Sequence, residues 1–188
     1  MKLNNNYFIL RHGEALSNKK RFVSSWPEKI YNPLTEKGKK QVKKIIPGFK
    51  KEKIDLIFSS DLLRAKQTAE KIAKELKLKV NFDKRLREIG MGVFNGNSED
   101  DWNRFYKTNA ERFTKRPQGG ENYRDVRKRA VDFIKEIDKK YKNKKILITS
   151  HGCTLFSMQA GLKNLTEEEE ISQRKNLILK TGELRKIC

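Results

Sequence analysis

Cysteine and histidine are scarce in this sequence, with two of each among 188 residues. Two cysteines, one of them the last residue, are too few for a disulfide framework, so we expect a reducing, cytoplasmic environment. The start, Met-Lys-Leu-Asn-Asn-Asn, is polar and is followed by a short apolar run, which predicts neither a signal peptide nor a membrane span. The acidic clusters at 99–101 and 167–170 lack histidine partners, so we expect no metal and no cofactor.

Acidic residues are too few to balance the basic ones. There are 44 Lys and Arg against 24 Asp and Glu, which gives a formal net charge of +20. Such a surface attracts anions, both phosphorylated metabolites and nucleic acid. Because the lysines are spread along the predicted helices without interleaved aromatics, we predict a small phosphorylated substrate, with nucleic acid bound only non-specifically if at all. A monomer and a homodimer are both compatible with the sequence.

Both histidines follow a short apolar run. Residues 7–10 precede Arg11-His12-Gly13-Glu14, and residues 146–149 precede Ser150-His151-Gly152. A single histidine after a strand is more often structural than catalytic. Because the carboxyl ends of parallel strands meet at one edge of a sheet, where ligands bind, the pair predicts a shared site.

Strand and helix patterns alternate along the chain without internal repeats. They predict one domain over residues 1–188, an α/β three-layer sandwich with a mostly parallel central sheet. The clearest helix runs from 123 to 141, where apolar residues recur every three or four positions. Further predictions are a helix that begins near Thr35 and ends at Pro47-Gly48, a helix over 98–113, and a hairpin of 177–179 with 184–187.

Six blocks of sequence, in this order, resemble the histidine phosphatase superfamily, in its phosphoglycerate mutase-like branch. They are Arg11-His12-Gly13-Glu14 with Asn18, Pro-Leu-Thr-Glu-Lys-Gly at 33–38, residues 59–69 with Arg64, the glycine-rich loop around Glu88, Gly119-Gly120-Glu121, and Ser150-His151-Gly152. The resemblance covers nearly the whole chain. It implies a phosphoglycerate mutase-like fold with a substrate-covering insertion at about residues 90–120.

The resemblance also implies roles for individual residues. His12 would attack phosphorus and carry the phosphoryl group, and Glu88 would act as general acid and then as general base. Phosphoryl oxygens or substrate would be bound by Arg11, Arg64, His151, Asn18, Gly152, Ser24 and Glu121. Because charge remains on those oxygens in the transition state, catalysis of this kind depends on positioning and electrostatics.

Several of these residues have equally ordinary interpretations. Ser24 fits a phosphate contact and a plain loop serine equally well, and Glu121 fits a helix N-terminus slightly better than substrate. Glu88 could be an exposed carboxylate paired with Arg87. Cys153 is predicted to be a small buried residue at a helix start rather than a nucleophile.

Two departures from the mutase pattern distinguish the possible activities. Residues 88–92 read Glu-Ile-Gly-Met-Gly, without the aromatic residue that follows the acid in mutases, and Cys153 stands where mutases have asparagine. The sequence therefore favours a metal-independent phosphomonoesterase, a histidine acid-type phosphatase acting on small metabolites. A cofactor-dependent phosphoglycerate mutase is the first alternative. The second is a catalytically silent protein that binds nucleic acid or another anionic partner.

Overall fold

A computed structural model describes residues 2–187 of the chain. In this part, five strands form one sheet in the order β3-β2-β4-β1-β5. The strands are β1 (Asn6–Arg11), β2 (Leu56–Ser59), β3 (Val80–Phe82), β4 (Lys145–Ser150) and β5 (Leu184–Lys186). The α-helices are α1 (Leu16–Lys20), α2 (Glu36–Glu52), α3 (Leu63–Leu76), α4 (Glu99–Arg104), α5 (Glu111–Thr114), α6 (Tyr123–Lys140), α7 (Gly152–Leu162), α8 (Glu167–Ser172) and α9 (Arg174–Leu177).

The sheet is mostly parallel and is covered by helices on both faces, which confirms the predicted three-layer sandwich. Strands β1 to β4 pair in parallel, and β5 joins β1 in the antiparallel sense. Alternate residues of β1 enter different cores: Tyr7 and Ile9 pack with α6 and α7, whereas Phe8 and Leu10 pack with α2 and α3. A continuous apolar run suits a strand that is buried on both faces.

The pairing of β1 with β4 brings the two histidines together. Arg11 lies opposite Ser150 in the parallel register, and the amide of His12 donates to the carbonyl of Ser150 at 3.0 Å. The carboxyl ends of β1 and β4 therefore lie side by side at the same edge of the sheet. Strand β2 pairs with the other side of β4, so the start of α3 reaches the same edge.

A third apolar cluster lies between residues 89–113 and the helices α6 and α7. It includes Ile89, Trp102, Phe113, Tyr123 and Phe156. The region 90–120, predicted as a substrate-covering insertion, consists of loops with a 3₁₀ turn at Gly92–Phe94 and the short helices α4 and α5. It forms one wall of the cavity described below.

The predicted helix over 98–113 is wrong, because two short helices replace it. Ser98 caps α4 by accepting from the amide of Asp101, as a serine at a helix start should. Past Arg104 the side chains of Glu111 and Thr108 accept hydrogen bonds from the amides of residues 107 and 111. Such local side-chain bonds compete with a continuous helical ladder.

The predicted hairpin is also wrong. Leu177 ends α9, and only the second segment forms a strand, β5, which pairs with β1. The carbonyls of Leu177 and Leu179 accept from the side chains of Gln159 and Arg11, so they are used away from any sheet.

Helix α2 does begin after the cap Thr35, as predicted, but it continues through Pro47 to Glu52. The buried side chains Val42, Ile46 and Phe49 extend one apolar stripe across the proline, and this packing holds the last turn against the sheet. Across residues 2–187, no helix combines the length and the apolar character needed to cross a bilayer.

Candidate active site

A cavity of about 180 Å³ opens at the sheet edge where β1 and β4 end. Most of the residues predicted for the site line it: Arg11, His12, Asn18, Ser24, Arg64, Glu88 and Gly152. His151 lies directly beside His12, fully buried, with ring centroids 5.1 Å apart. Glu121 lies elsewhere.

Two hydrogen bonds fix the protonation state of His12. Its Nδ1 lies 2.7 Å from the carbonyl oxygen of Gly13, which can only accept, so Nδ1 carries the proton. The Nε2 atom accepts from Nε–H of Arg64 at 3.1 Å. Burial lowers the pKa of His12 well below the ordinary 6.5, and the charges of Arg64 and Arg11 lower it further. The ring is therefore neutral at pH 7, with its lone pair on Nε2.

His151 is held by Ser60. The Ser60 hydroxyl accepts from the amide of Leu62 at 3.2 Å and lies 2.8 Å from Nε2 of His151, which is the acceptor within reach of the hydroxyl proton. This assignment leaves the imidazole proton on Nδ1, a buried atom without a hydrogen-bond partner in the described chain. Burial, and then the charge of Arg64, lowers the pKa of His151 well below its usual value.

Arg64 lies in the first turn of α3 and is almost completely buried. It donates to His12, to the hydroxyl of Ser24 at 3.3 Å and to the carbonyl of Ser24 at 2.9 Å. The carboxylate of Glu28 lies 3.6 Å from its Nη1. Burial lowers the pKa of Arg64 to about 10, while the charges of Glu88 and Glu28 oppose that shift. The guanidinium thus remains charged at pH 7.

The guanidinium of Arg11 packs against Gly152. Arg11 donates through Nη1 to the carbonyl of Leu179 at 2.8 Å, and its buried Nε lacks a hydrogen-bond partner within residues 2–187. A Cβ atom on Gly152 would lie 3.2 Å from Cζ of Arg11, which is tighter than ordinary contact. Gly152, the first residue of α7, therefore provides the space in which the guanidinium of Arg11 lies.

Glu88 reaches the cavity from the loop after β3. Its Oε1 accepts from the amides of Ile89 and Cys153, at 3.0 and 3.2 Å. Arg87, proposed above as an alternative partner, instead forms a paired contact with Asp61. Burial raises the pKa of the Cys153 thiol to about 11, so the thiol stays protonated and is a poor nucleophile at pH 7.

Asn18 of α1 and the loop residue Ser24, both predicted for the site, have structural bonds as well. Asn18 lines the cavity, and its Oδ1 accepts from the amide of Ala15 at the start of α1. Ser24, also in the lining, contacts Arg64 through both its hydroxyl and its carbonyl. Contact of either residue with substrate stays a prediction.

Glu121 is not brought into the cavity that contains His12. It accepts from Arg129 through both oxygens and from the amide of Gly90 at 2.8 Å. The N-terminus of α6 is capped by Asn122 and Asp125 instead. Glu121 thus joins the loop of Glu88 to α6, and substrate contact by it remains only a prediction.

Sequence reasoning missed two residues that position the site. Ser60 orients His151, and Glu28 faces Arg64 while its other oxygen accepts from the amide of Leu63 at 2.9 Å. Ser60 follows β2, at the same edge as both histidines, so the rule that located His12 and His151 could have located it. Glu28 lies in an irregular loop, where no pattern marks it.

Among residues 2–187, no group of three or more His, Cys, Asp or Glu side chains is arranged to hold a metal ion.

These features match a known family. The model of the histidine phosphatase superfamily (branch 1) matches residues 7–179, and the chain belongs to this family. Over 159 residues it is 30% identical to phosphoserine phosphatase 1 of Hydrogenobacter thermophilus, a match that covers 82% of this chain and 74% of the relative.

A second sequence relative is named for a different activity, and a solved structure has the same fold. A probable phosphoglycerate mutase, GpmB, of Salmonella choleraesuis is 30% identical over 165 residues, covering 84% of this chain and 74% of the relative. The solved structure of Bacillus stearothermophilus YhfR superposes with a TM-score of 0.83 at 25% identity, covering 97% of this chain and 90% of that one.

Proposed function

We propose that this protein is a metal-independent phosphomonoesterase that hydrolyses small phosphorylated metabolites through a phosphohistidine on His12. The observation that carries the proposal is the setting of His12. Its imidazole is neutral, and its Nε2 lone pair lies at a cavity lined by two arginines. A relative at 30% identity is named a phosphatase, which supports hydrolysis.

In the first step the Nε–H of Arg64 transfers its hydrogen bond from Nε2 of His12 to a phosphoryl oxygen, and the freed Nε2 lone pair attacks phosphorus as the P–O ester bond breaks. The leaving oxygen takes a proton from Glu88, whose carboxyl group is held at the cavity by two amides. In the second step Glu88 takes a proton from water, the water oxygen bonds to phosphorus, and the P–N bond breaks. The product is inorganic phosphate, and His12 is again neutral.

Bound phosphoryl oxygens would satisfy the unpartnered buried donors of the site. Within residues 2–187 these are Nε–H of Arg11 and, with Ser60 donating to Nε2, Nδ1–H of His151. Arg64 donates to His12 in the free protein. A charge-assisted hydrogen bond contributes about 1.5–3 kcal/mol, so loss of one such donor would reduce turnover strongly. Asn18 would add a further donor at the same cavity.

Trapping the phosphoenzyme tests the mechanism. With a ³²P-labelled monoester and a rapid acid-free quench, we expect alkali-stable, acid-labile label on the wild type and on His151→Asn, and none on His12→Asn. The two variants are matched, since each replaces one buried imidazole by the same amide. Label on His12→Asn would refute the role of His12 as nucleophile. In a separate assay, removal of metal ions with EDTA should leave turnover unchanged.

A phosphoglycerate mutase is the second candidate, because a relative of equal identity is named as one. The two activities separate in one assay of 3-phosphoglycerate with and without 2,3-bisphosphoglycerate. We expect no isomerisation, with or without the bisphosphate. Fast isomerisation with negligible release of phosphate would favour the mutase.

Steep salt-dependent RNA binding without any ester hydrolysis would favour a catalytically silent anion-binding protein.

A further inference from the structure

Beyond its phosphate-binding residues, the cavity is lined by the polar side chains of Ser17, Asn103 and Glu99 and by a larger group of apolar side chains. They are Phe22, Val23, Met91, Trp102 and Ile178, with the uncharged Cys153 beside them. Val23, Met91 and Trp102 belong to the buried third cluster, which fixes their positions. Part of the cavity wall is therefore an apolar surface, held in place by packing, next to the phosphoryl site.

Positive charge in the cavity lining is confined to the phosphoryl end. Within the described chain no lysine lines the cavity, and its arginines are Arg11 and Arg64, which lie beside His12. The carboxyl groups of the lining are Glu88, at the phosphoryl end, and Glu99, in the first turn of α4. Its partner Arg21 lies 3.6 Å away, mostly exposed, and also binds Asp100.

A carboxylate on the alcohol portion of a substrate would find no cation in this part of the lining, because Arg21 lies outside it and is already paired with Glu99 and Asp100. It would lose water against apolar side chains and face a second negative charge. Unpaired buried charge and like-charge contact are the features by which proteins reject a ligand. An apolar group in the same position gains from burial instead.

From this lining we infer that the substrates are phosphate monoesters of apolar alcohols, aryl or short alkyl, without a carboxylate on the alcohol portion. Met91, Trp102 and Glu99 would be the residues that determine this specificity. The inference rests on the proposed phosphatase activity and names the substrate class of the same site. The cavity volume, about 180 Å³, is small beside the ~300–1,000 Å³ of pockets that enclose drug-sized ligands, so the part of the alcohol that is buried next to the phosphoryl group is small.

A matched series of esters tests the inference. Phenyl phosphate and 4-(carboxymethyl)phenyl phosphate differ by a carboxylate that a methylene separates from the ring, so their leaving groups are similar. We expect kcat/KM at least tenfold lower for the carboxylated ester. Among alkyl esters, from methyl to butyl phosphate, kcat/KM should rise up to about fourfold for each methylene that enters the cavity.

Two charge-neutralising variants locate the source of the discrimination. Glu99→Gln should reduce the ratio of kcat/KM for phenyl phosphate to kcat/KM for the carboxylated ester several-fold. Asp100→Asn, which neutralises the neighbouring carboxylate outside the cavity lining, should leave that ratio of kcat/KM values unchanged. An equal response of both variants would show that general surface charge, not Glu99, sets the preference.

Binding of non-hydrolysable analogues separates this inference from the proposed function. We would titrate phenylphosphonate and its 4-carboxymethyl derivative into the wild-type protein by calorimetry. Tighter binding of phenylphosphonate supports the inference even if every ester proves inert, a result that would refute the phosphatase. Equal or tighter binding of the carboxylated analogue overturns the inference even if the esters are hydrolysed.

Discussion

Alanine in place of Gly152 tests whether the position of Arg11 matters for turnover. The added Cβ would lie 3.2 Å from Cζ and 3.4 Å from Nη1 of Arg11, with Nε at 3.5 Å. The guanidinium must then move by a few tenths of an ångström. It cannot do so freely, because its Nη1 is bonded to the carbonyl of Leu179 at 2.8 Å.

We expect Gly152→Ala to lower kcat/KM for an aryl phosphate about 10- to 100-fold. This corresponds to about 1.4–2.7 kcal/mol of transition-state stabilisation, the range in which small misplacements of a positioning group act. Alanine is no worse than glycine in a helix, so the free energy of unfolding should fall little if at all. Steady-state kinetics and urea denaturation measure the two quantities.

Gly48→Ala is the matched control. Gly48 lies inside α2, and a Cβ there meets nothing within 4 Å. It should leave kcat/KM unchanged and stabilise the protein by about 0.5–1 kcal/mol, through the backbone entropy of glycine. Wild-type kinetics for Gly152→Ala would refute the reasoning, as would an equal loss of activity in both variants.

Three further predictions follow from the site. Glu88→Gln should slow alkyl phosphates far more than 4-nitrophenyl phosphate, because only a poor leaving group needs the proton; equal slowing in steady-state assays would remove Glu88 as the acid. Ser60→Ala should cost about 1–3 kcal/mol in urea denaturation and lower kcat, because His151 Nε2 loses its bond; unchanged kcat would show that His151 needs no orientation. Both imidazoles have lowered pKa values when folded, so the unfolded chain binds more protons below pH 6.5. Stability is therefore complete above pH 6.5 and falls as the pH drops towards the folded values, by up to about 1.4 kcal/mol per pH unit for each histidine. Between pH 7 and 5 the free energy of unfolding of His12→Asn should fall less steeply with pH than that of the wild type. Equal slopes for the two proteins would contradict a lowered pKa of His12.

The strand ends were predictable because their chemistry is local. An apolar run followed by His-Gly marks both β1 and β4, and the rule for parallel sheets then joins His12 to His151. The long helix α6 was equally clear from its period. Each of these features depends on residues that are neighbours in sequence.

The contacts that complete the site were not predictable in this way. Arg11 is held by the carbonyl of Leu179, and Arg64 by Ser24 and Glu28, each from a loop distant in sequence. The break between α4 and α5 depends on side-chain bonds by Thr108 and Glu111 that compete with helix. Propensity and period describe single elements, whereas these interactions arise only when elements meet.

The adjacency of β1 and β4 has a consequence for synthesis on the ribosome. His12 emerges early and His151 late, and their side-by-side arrangement requires a parallel pairing that closes most of the polypeptide into one loop. Pairings of such high contact order form slowly and late. A nascent chain that still lacks β4 can build α2 and α3, yet it has only half of the imidazole pair, so turnover would begin only once translation has passed the second histidine.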